Sequence, residues 1–414
     1  MINLLIQVLT LFSGLVVNFV IPGLYGLEAY GTFIKANVLV FLFQKLLDIV
    51  NEQLIASVEA EYTLVTSLFM ATLIFLLFNA VNLIDYIGNP LLLGVMLLSS
   101  ACLLSMFSLR LQRWIVGYLI IFLCVFFTAL LLSYLSVWPL SIVDILILTN
   151  LIPCLYAVVV LFFNGAKLPM GKQLLLTCHR VLLLLPRMVS ITLVFNLFTN
   201  ILPFILSKSL PVRDLGLFRV IVSIIQSATS LFPVNVRAVF VSFVSGGQRQ
   251  EQYRIITSIA IFYFALVGLS AYVAVWLFPQ YSAYLVMLPC LPVLYWAVVT
   301  ERYLVACGLH RKVIVTNLVI APLSIAGMLL FVQDLKQAQL FYAIGFSAYL
   351  LFLHVACRPG IKLPVVFWVA LLSPLAIFLT DISLIWAVLY MCSLMIIAVG
   401  ALQLRPADLR TLRF

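Results

Sequence analysis

Long apolar runs broken by short polar interruptions pattern this chain from end to end. They predict helices near residues 2–21, 33–56, 64–82, 90–109, 114–134 and 142–163. A polar elbow at 164–180 follows, and then helices near 182–206, 215–243, 255–277, 283–305, 313–331 and 339–357. Two more fit into 364–380 and 382–402, split by Pro374 and by the Thr380–Asp381 break. Several runs reach the roughly 20 residues that carry a helix across a bilayer.

Composition turns that pattern into a class. Of 414 residues, 65% are hydrophobic and 9% charged, against about 45–50% and about 25% in a soluble domain. Sharing the chain among 14 spans leaves about 30 residues per helix and loop, too few for an extramembrane catalytic domain. The expected fold is an all-α polytopic membrane protein with 12–14 transmembrane helices. The net charge of +10 belongs to short loops, none long enough to present a basic and aromatic face to nucleic acid. Fourteen Lys and Arg fall in one alternate set of loops and three (Lys208, Arg213, Lys336) in the other, which puts both termini in the cytoplasm. Residues 2–21 lack the basic start and cleavage site of a signal peptide and read as the first span. The eight cysteines, with no C-x-x-C among them, read as small packing residues.

The basic, partly amphipathic elbow suits the cytoplasmic membrane surface. It divides the chain into a six-helix lobe (1–163), the elbow (164–180), a second six-helix lobe (181–357), and two further helices with a basic tail (358–414). The halves echo each other. Tyr-Gly-Thr-Phe at 30–33 and Leu-Gly-Leu-Phe at 215–218 stand 185 residues apart, each after the first span of its half. Four of 27 paired positions are identical: Gly31/Gly216, Phe33/Phe218, Leu46/Leu231 and Ser57/Ser242. The weight rests on topology, since parallel repeats about an axis along the membrane normal are a recurring transporter plan.

With those segments in place, the chain resembles the MOP exporter superfamily and, within it, the polysaccharide or O-antigen flippases. Gly26-Leu-Glu-Ala-Tyr30-Gly31-Thr-Phe33 is similar to that family's Gly-x-x-x-Tyr-Gly-x-Tyr/Phe pattern, and Arg213-Asp-Leu-Gly216-Leu-Phe218 to its counterpart in the second half. The resemblance implies alternating access of two helical lobes around a central cavity in the bacterial cytoplasmic membrane. The cargo it implies is an undecaprenyl-pyrophosphate-linked oligosaccharide, moved from inner to outer leaflet. It implies no cofactor and no enzymatic step, with a polysaccharide polymerase and a chain-length protein as partners.

Charged residues within spans include Lys35, Lys45, Arg187, Arg219, Arg237, Arg302, Asp48, Glu52 and Glu301. An ionised group at mid-bilayer costs about 2.5–3.5 kcal/mol on the lenient insertion scale, so each must pair, reach the interface or line a wet cavity. Lys35, Arg219 and the Glu301–Arg302 pair lie near span ends, where snorkelling suffices. Lys45, Asp48 and Glu52 stand at i, i+3 and i+7 and share one helix face bordered by Gln44 and Asn51. Two readings remain open there: a local Lys45–Asp48 ion pair that holds the fold, or a water-lined transport face. On the second reading Arg187, Arg237 and Lys45 would receive the pyrophosphate, guanidinium groups matching phosphate oxygens in a bidentate fork. The 185-residue offset maps Glu52 onto Arg237, an expected closing pair at the cytoplasmic gate. Asp48 and Glu52 are the natural residues for coupling to a proton or sodium gradient.

Other classes are disfavoured by what the sequence lacks. Gly165 to Gly171-Lys172-Gln173 has the wrong spacing for a P-loop. His179, His310 and His354 share no metal-ligand spacing and are expected to be solvated or interfacial. A polymerase or ligase would carry a long external loop, and the longest here is about ten residues. A multidrug-type cation antiporter of the same superfamily remains the alternative; its cavity should favour acids, whereas three deep cations here stand against two.

Overall fold

A computed structural model describes residues 2–57, 60–85, 88–164, 176, 179, 182–183, 186, 189–191, 193–230, 249–278, 282–359, 361–382 and 384–401. Among these residues the regular structure is all helical. Among the described residues nine helices are long and apolar enough to cross a membrane. The chain divides into two compact units, residues 1–189 and 190–414.

The first unit holds α1 (Ile2–Tyr25), α2 (Leu27–Ala36), α3 (Val38–Ser57), α4 (Thr63–Asp85), α5 (Pro90–Ser108), α6 (Gln112–Tyr134) and α7 (Ile142–Phe163). The sequence predicts one helix at 33–56. Two form instead, α2 beginning earlier and parted from α3 at Asn37, whose side chain folds back on the Phe33 carbonyl at 3.0 Å. Gly26 separates α1 from α2 with φ of 86°, a conformation that an L side chain resists. Side-chain caps satisfy helix-end amides. Asn89 accepts from the Leu92 amide ahead of α5, with Pro90 at the first helical position. Ser141 and Asp144 form a reciprocal capping box on α7. The core between α5, α6 and α7 is apolar, with Cys102, Met106, Ile115, Tyr118, Cys154 and Ala157 buried together.

The second unit begins with a broken segment: Leu193–Asn196, a π-helical turn Leu197–Ile201, and Leu202–Leu206. The break has a local cause. Pro203 lacks an N–H, and its ring would strike the carbonyl four residues earlier in a regular helix; the wider π turn relieves both. Then come α8 (Val212–Ser230), α9 (Arg249–Leu277), α10 (Leu291–Ala306), α11 (His310–Phe331), α12 (Leu335–Cys357), α13 (Leu363–Ile382) and α14 (Leu384–Ile396).

Neighbour relations recur between the units. In the first, α5 packs on α4 and α7, α6 on α7, and α1 on α6. In the second, α10 packs on α9 and α12, α11 on α12, and the broken segment on α11. The helices α2 and α8 start 185 residues apart, at Leu27 and Val212. The added pair α13 and α14 packs on α12 and α9 of its own unit.

Large apolar side chains stay outside. Leu155, Val159, Phe162 and Phe163 of α7 are exposed, the last two by about 80%. A soluble protein rarely carries so continuous an apolar ridge; on membrane-length helices it is a lipid-facing surface.

Candidate functional site

Helix α3 is 20 residues long, about 30 Å and the thickness of the hydrocarbon core, and it carries Lys45 and Asp48 along its length. Its buried face is Val40, Phe43, Leu47 and Val50, at the i, i+3, i+7 spacing of a packed stripe. Lys45 and Asp48 occupy another face and remain about 40% and 36% exposed.

Those two charges end a hydrogen-bonded chain across three helices. Lys45 Nζ donates to Asp48 Oδ2 at 2.7 Å. Ser100 Oγ of α5 donates to Asp48 Oδ1 at 3.1 Å. Asn51 Nδ2 donates to Ser100 Oγ at 3.2 Å, and Ser67 Oγ of α4 donates to Asn51 Oδ1 at 2.8 Å. Asn51 and Ser67 are buried. Inside a membrane such groups have no water to fall back on and must satisfy one another. The local Lys45–Asp48 pair is thus present, and it is also tied into the packing of α3, α4 and α5.

The second unit holds two further polar clusters. In one, Trp296 Nε1 of α10 donates to Tyr253 Oη of α9 at 3.1 Å. The same phenol lies 2.8 Å from Thr300 Oγ1 and 3.3 Å from Nε2 of His354 on α12. His354 Nδ1 donates to the Leu350 carbonyl at 2.9 Å, which fixes the tautomer because a carbonyl can only accept. His354 is buried, at 3% exposure. This corrects the expectation of a solvated or interfacial ring: α9 and α10 close over the helix end that the sequence alone leaves open.

In the other cluster, Tyr349 Oη of α12 donates to Glu301 Oε2 of α10 at 2.6 Å. Glu301 is 2% exposed, so it does not snorkel as its place near a span end suggests. Asn317 of α11 sits against the same phenol and donates to the Ser190 and Ile191 carbonyls. Lys35, by contrast, is exposed as expected of an interfacial lysine.

Of the residues expected to act, the structure brings Lys45 and Asp48 together. Glu52 lies on α3, but its side chain lies outside the described residues, as do Arg187, Arg237 and the elbow's Lys167, Lys172 and Arg180. Ser67, Ser100, Tyr349 and Asn317 escape sequence reasoning, since single polar residues in apolar runs carry little signal until their partners are known. Among the described residues no three His, Cys, Asp or Glu side chains converge as a metal site.

Membrane-length apolar helices and exposed apolar ridges define an all-helical, multi-pass membrane protein. No protein-family model, curated protein or solved structure matches the chain.

Proposed function

We propose that this protein is a flippase that moves an undecaprenyl-pyrophosphate-linked oligosaccharide from the inner to the outer leaflet of a bacterial cytoplasmic membrane. One observation carries the reading: a membrane-length helix keeps an ionised pair, Lys45 and Asp48, on a partly exposed face instead of burying or omitting it. Charge is costly there, and an aqueous path for a charged headgroup gives it a purpose. The recurrent neighbour order of the two units supports a transporter built from two parallel six-helix repeats, with α13 and α14 as additions and both termini cytoplasmic. In this scheme Lys45, Arg187 and Arg237 bind pyrophosphate. Glu52 and Arg237 close the cytoplasmic gate, and Asp48 and Glu52 couple movement to a proton or sodium ion. Transport proceeds without covalent chemistry or a cofactor; a polysaccharide polymerase and a chain-length protein receive the product.

The test is to extract undecaprenyl-linked sugars from cells lacking the protein and score surface glycan in parallel. Accumulated complete repeat units with no surface polymer place the block at translocation. Unchanged glycan with no lipid-linked build-up counts against the flippase. A second reading, a multidrug-type cation antiporter, draws on the Asp48 carboxylate of the same face; sensitivity of the deletion strain to cationic drugs would favour it.

A further inference from the structure

The proton order along the α3 network runs in one direction. Ser67 gives its proton to Asn51 Oδ1, and the amide nitrogen of Asn51 then donates to Ser100 Oγ. Ser100, having accepted one bond, spends its single proton on Asp48 Oδ1. The relay ends on a carboxylate oxygen that accepts, so three side chains from three helices orient the Asp48 carboxylate. Its second oxygen then meets the Lys45 ammonium at 2.7 Å. A pair built only to stabilise a helix surface needs no such anchorage, because i, i+3 charges meet unaided.

This placement bears on anions. Among the described residues the ammonium spends one of its three donors, on Asp48, and Lys45 is about 40% exposed, which leaves it open to a second acceptor. A phosphate oxygen approaching it also approaches a fixed carboxylate, and like charges at contact oppose binding. Resting on the proposed role of Lys45 as a phosphate contact, we infer that Asp48 is a built-in counter-anion for Lys45. Ser100, Asn51 and Ser67 position it, and together they weaken the site so that a pyrophosphate binds by displacing Asp48 and leaves again. A transporter needs such weakening, because a cation that holds its cargo too tightly does not release it.

The experiment uses the full-length protein in nanodiscs and inorganic pyrophosphate as the probe, titrated by calorimetry. Asp48→Asn is expected to bind about tenfold tighter than the parent, because the competing charge is gone while Lys45 stays. Adding Lys45→Ala to Asp48→Asn is expected to abolish the gain. Ser100→Ala is expected to give a smaller gain, about two- to threefold, and Ser100→Thr to match the parent because its hydroxyl can still donate. Pyrophosphate binding by Asp48→Asn that is unchanged or weaker overturns the inference, as does a gain that survives Lys45→Ala. If Asp48→Asn does not fold, the Ser100 pair decides, and Ser100→Ala equal to the parent overturns it. Failure of the flippase reading shows separately, in the lipid-linked sugars of the deletion strain. An Asp48→Asn gain without such accumulation supports the counter-anion in a carrier of another anion.

Discussion

Tyr349 donates a 2.6 Å hydrogen bond to a Glu301 carboxylate, and both side chains are sealed inside the second unit at 1% and 2% exposure. A carboxyl group in that setting is tolerable only with donors around it, so the phenol is a structural requirement as much as a contact. Replacing Tyr349 by Phe keeps the shape and removes the donor. The variant is expected to lose about 1–3 kcal/mol, read as a lower unfolding temperature in detergent. Glu301→Gln, which still presents an acceptor oxygen, is expected to lose less. Equal stability of Tyr349→Phe and the parent would count against this account.

A close approach in the same unit gives a second expectation. A Cβ on Gly345 would fall inside the ring of Phe198, which sits in the π turn. Phe198 itself packs on Tyr342 and Phe346 at 5.8 and 4.9 Å between ring centroids and has little room to retreat. Gly345→Ala is expected to cost about 1–3 kcal/mol through overpacking. Phe198→Leu should restore part of that loss in the double variant, measured by thermal unfolding. A merely helix-favouring effect of alanine would raise stability instead.

Tyr253 joins α9, α10 and α12 through a single hydroxyl. Tyr253→Phe leaves the Trp296 indole N–H without its acceptor in a dry core, at a cost of about 1–3 kcal/mol. Tryptophan emission is expected to shift as well, because Trp296 is fully buried and loses the hydrogen bond at Nε1. An unchanged spectrum and stability would show that the indole finds a replacement partner.

The gate assignment yields a genetic test. Glu52→Arg or Arg237→Glu alone is expected to abolish or strongly reduce surface glycan in a complementation assay. The double swap is expected to recover part of it. Absence of any recovery, with the swapped protein present in the membrane, argues against direct contact of the two residues.

Much of this protein was legible from its sequence because a bilayer imposes simple rules. A helix must be apolar for about 20 residues to span it, and that requirement places α4 to α7, α11 and α12 within a few residues of where the apolar runs predict them, whereas α9 starts six residues earlier than predicted, at Arg249, and α10 eight residues later, at Leu291. Turn and cap chemistry is similarly local, as Asn89–Pro90 and Ser141–Asp144 illustrate. The shared face of Lys45 and Asp48 follows from helical periodicity alone.

Burial and partnership do not follow from periodicity. Glu301 and His354 lie near span ends in the sequence, where water is close, and only the closure of α9, α10 and α12 around them removes it. Ser100 and Ser67 gain meaning from lying beside Asp48 and Asn51, residues 52 and 16 positions away in the chain. Local rules thus set where the helices run, because each segment answers to the lipid by itself. Which polar groups meet is a non-local matter, settled by the packing of helices against one another.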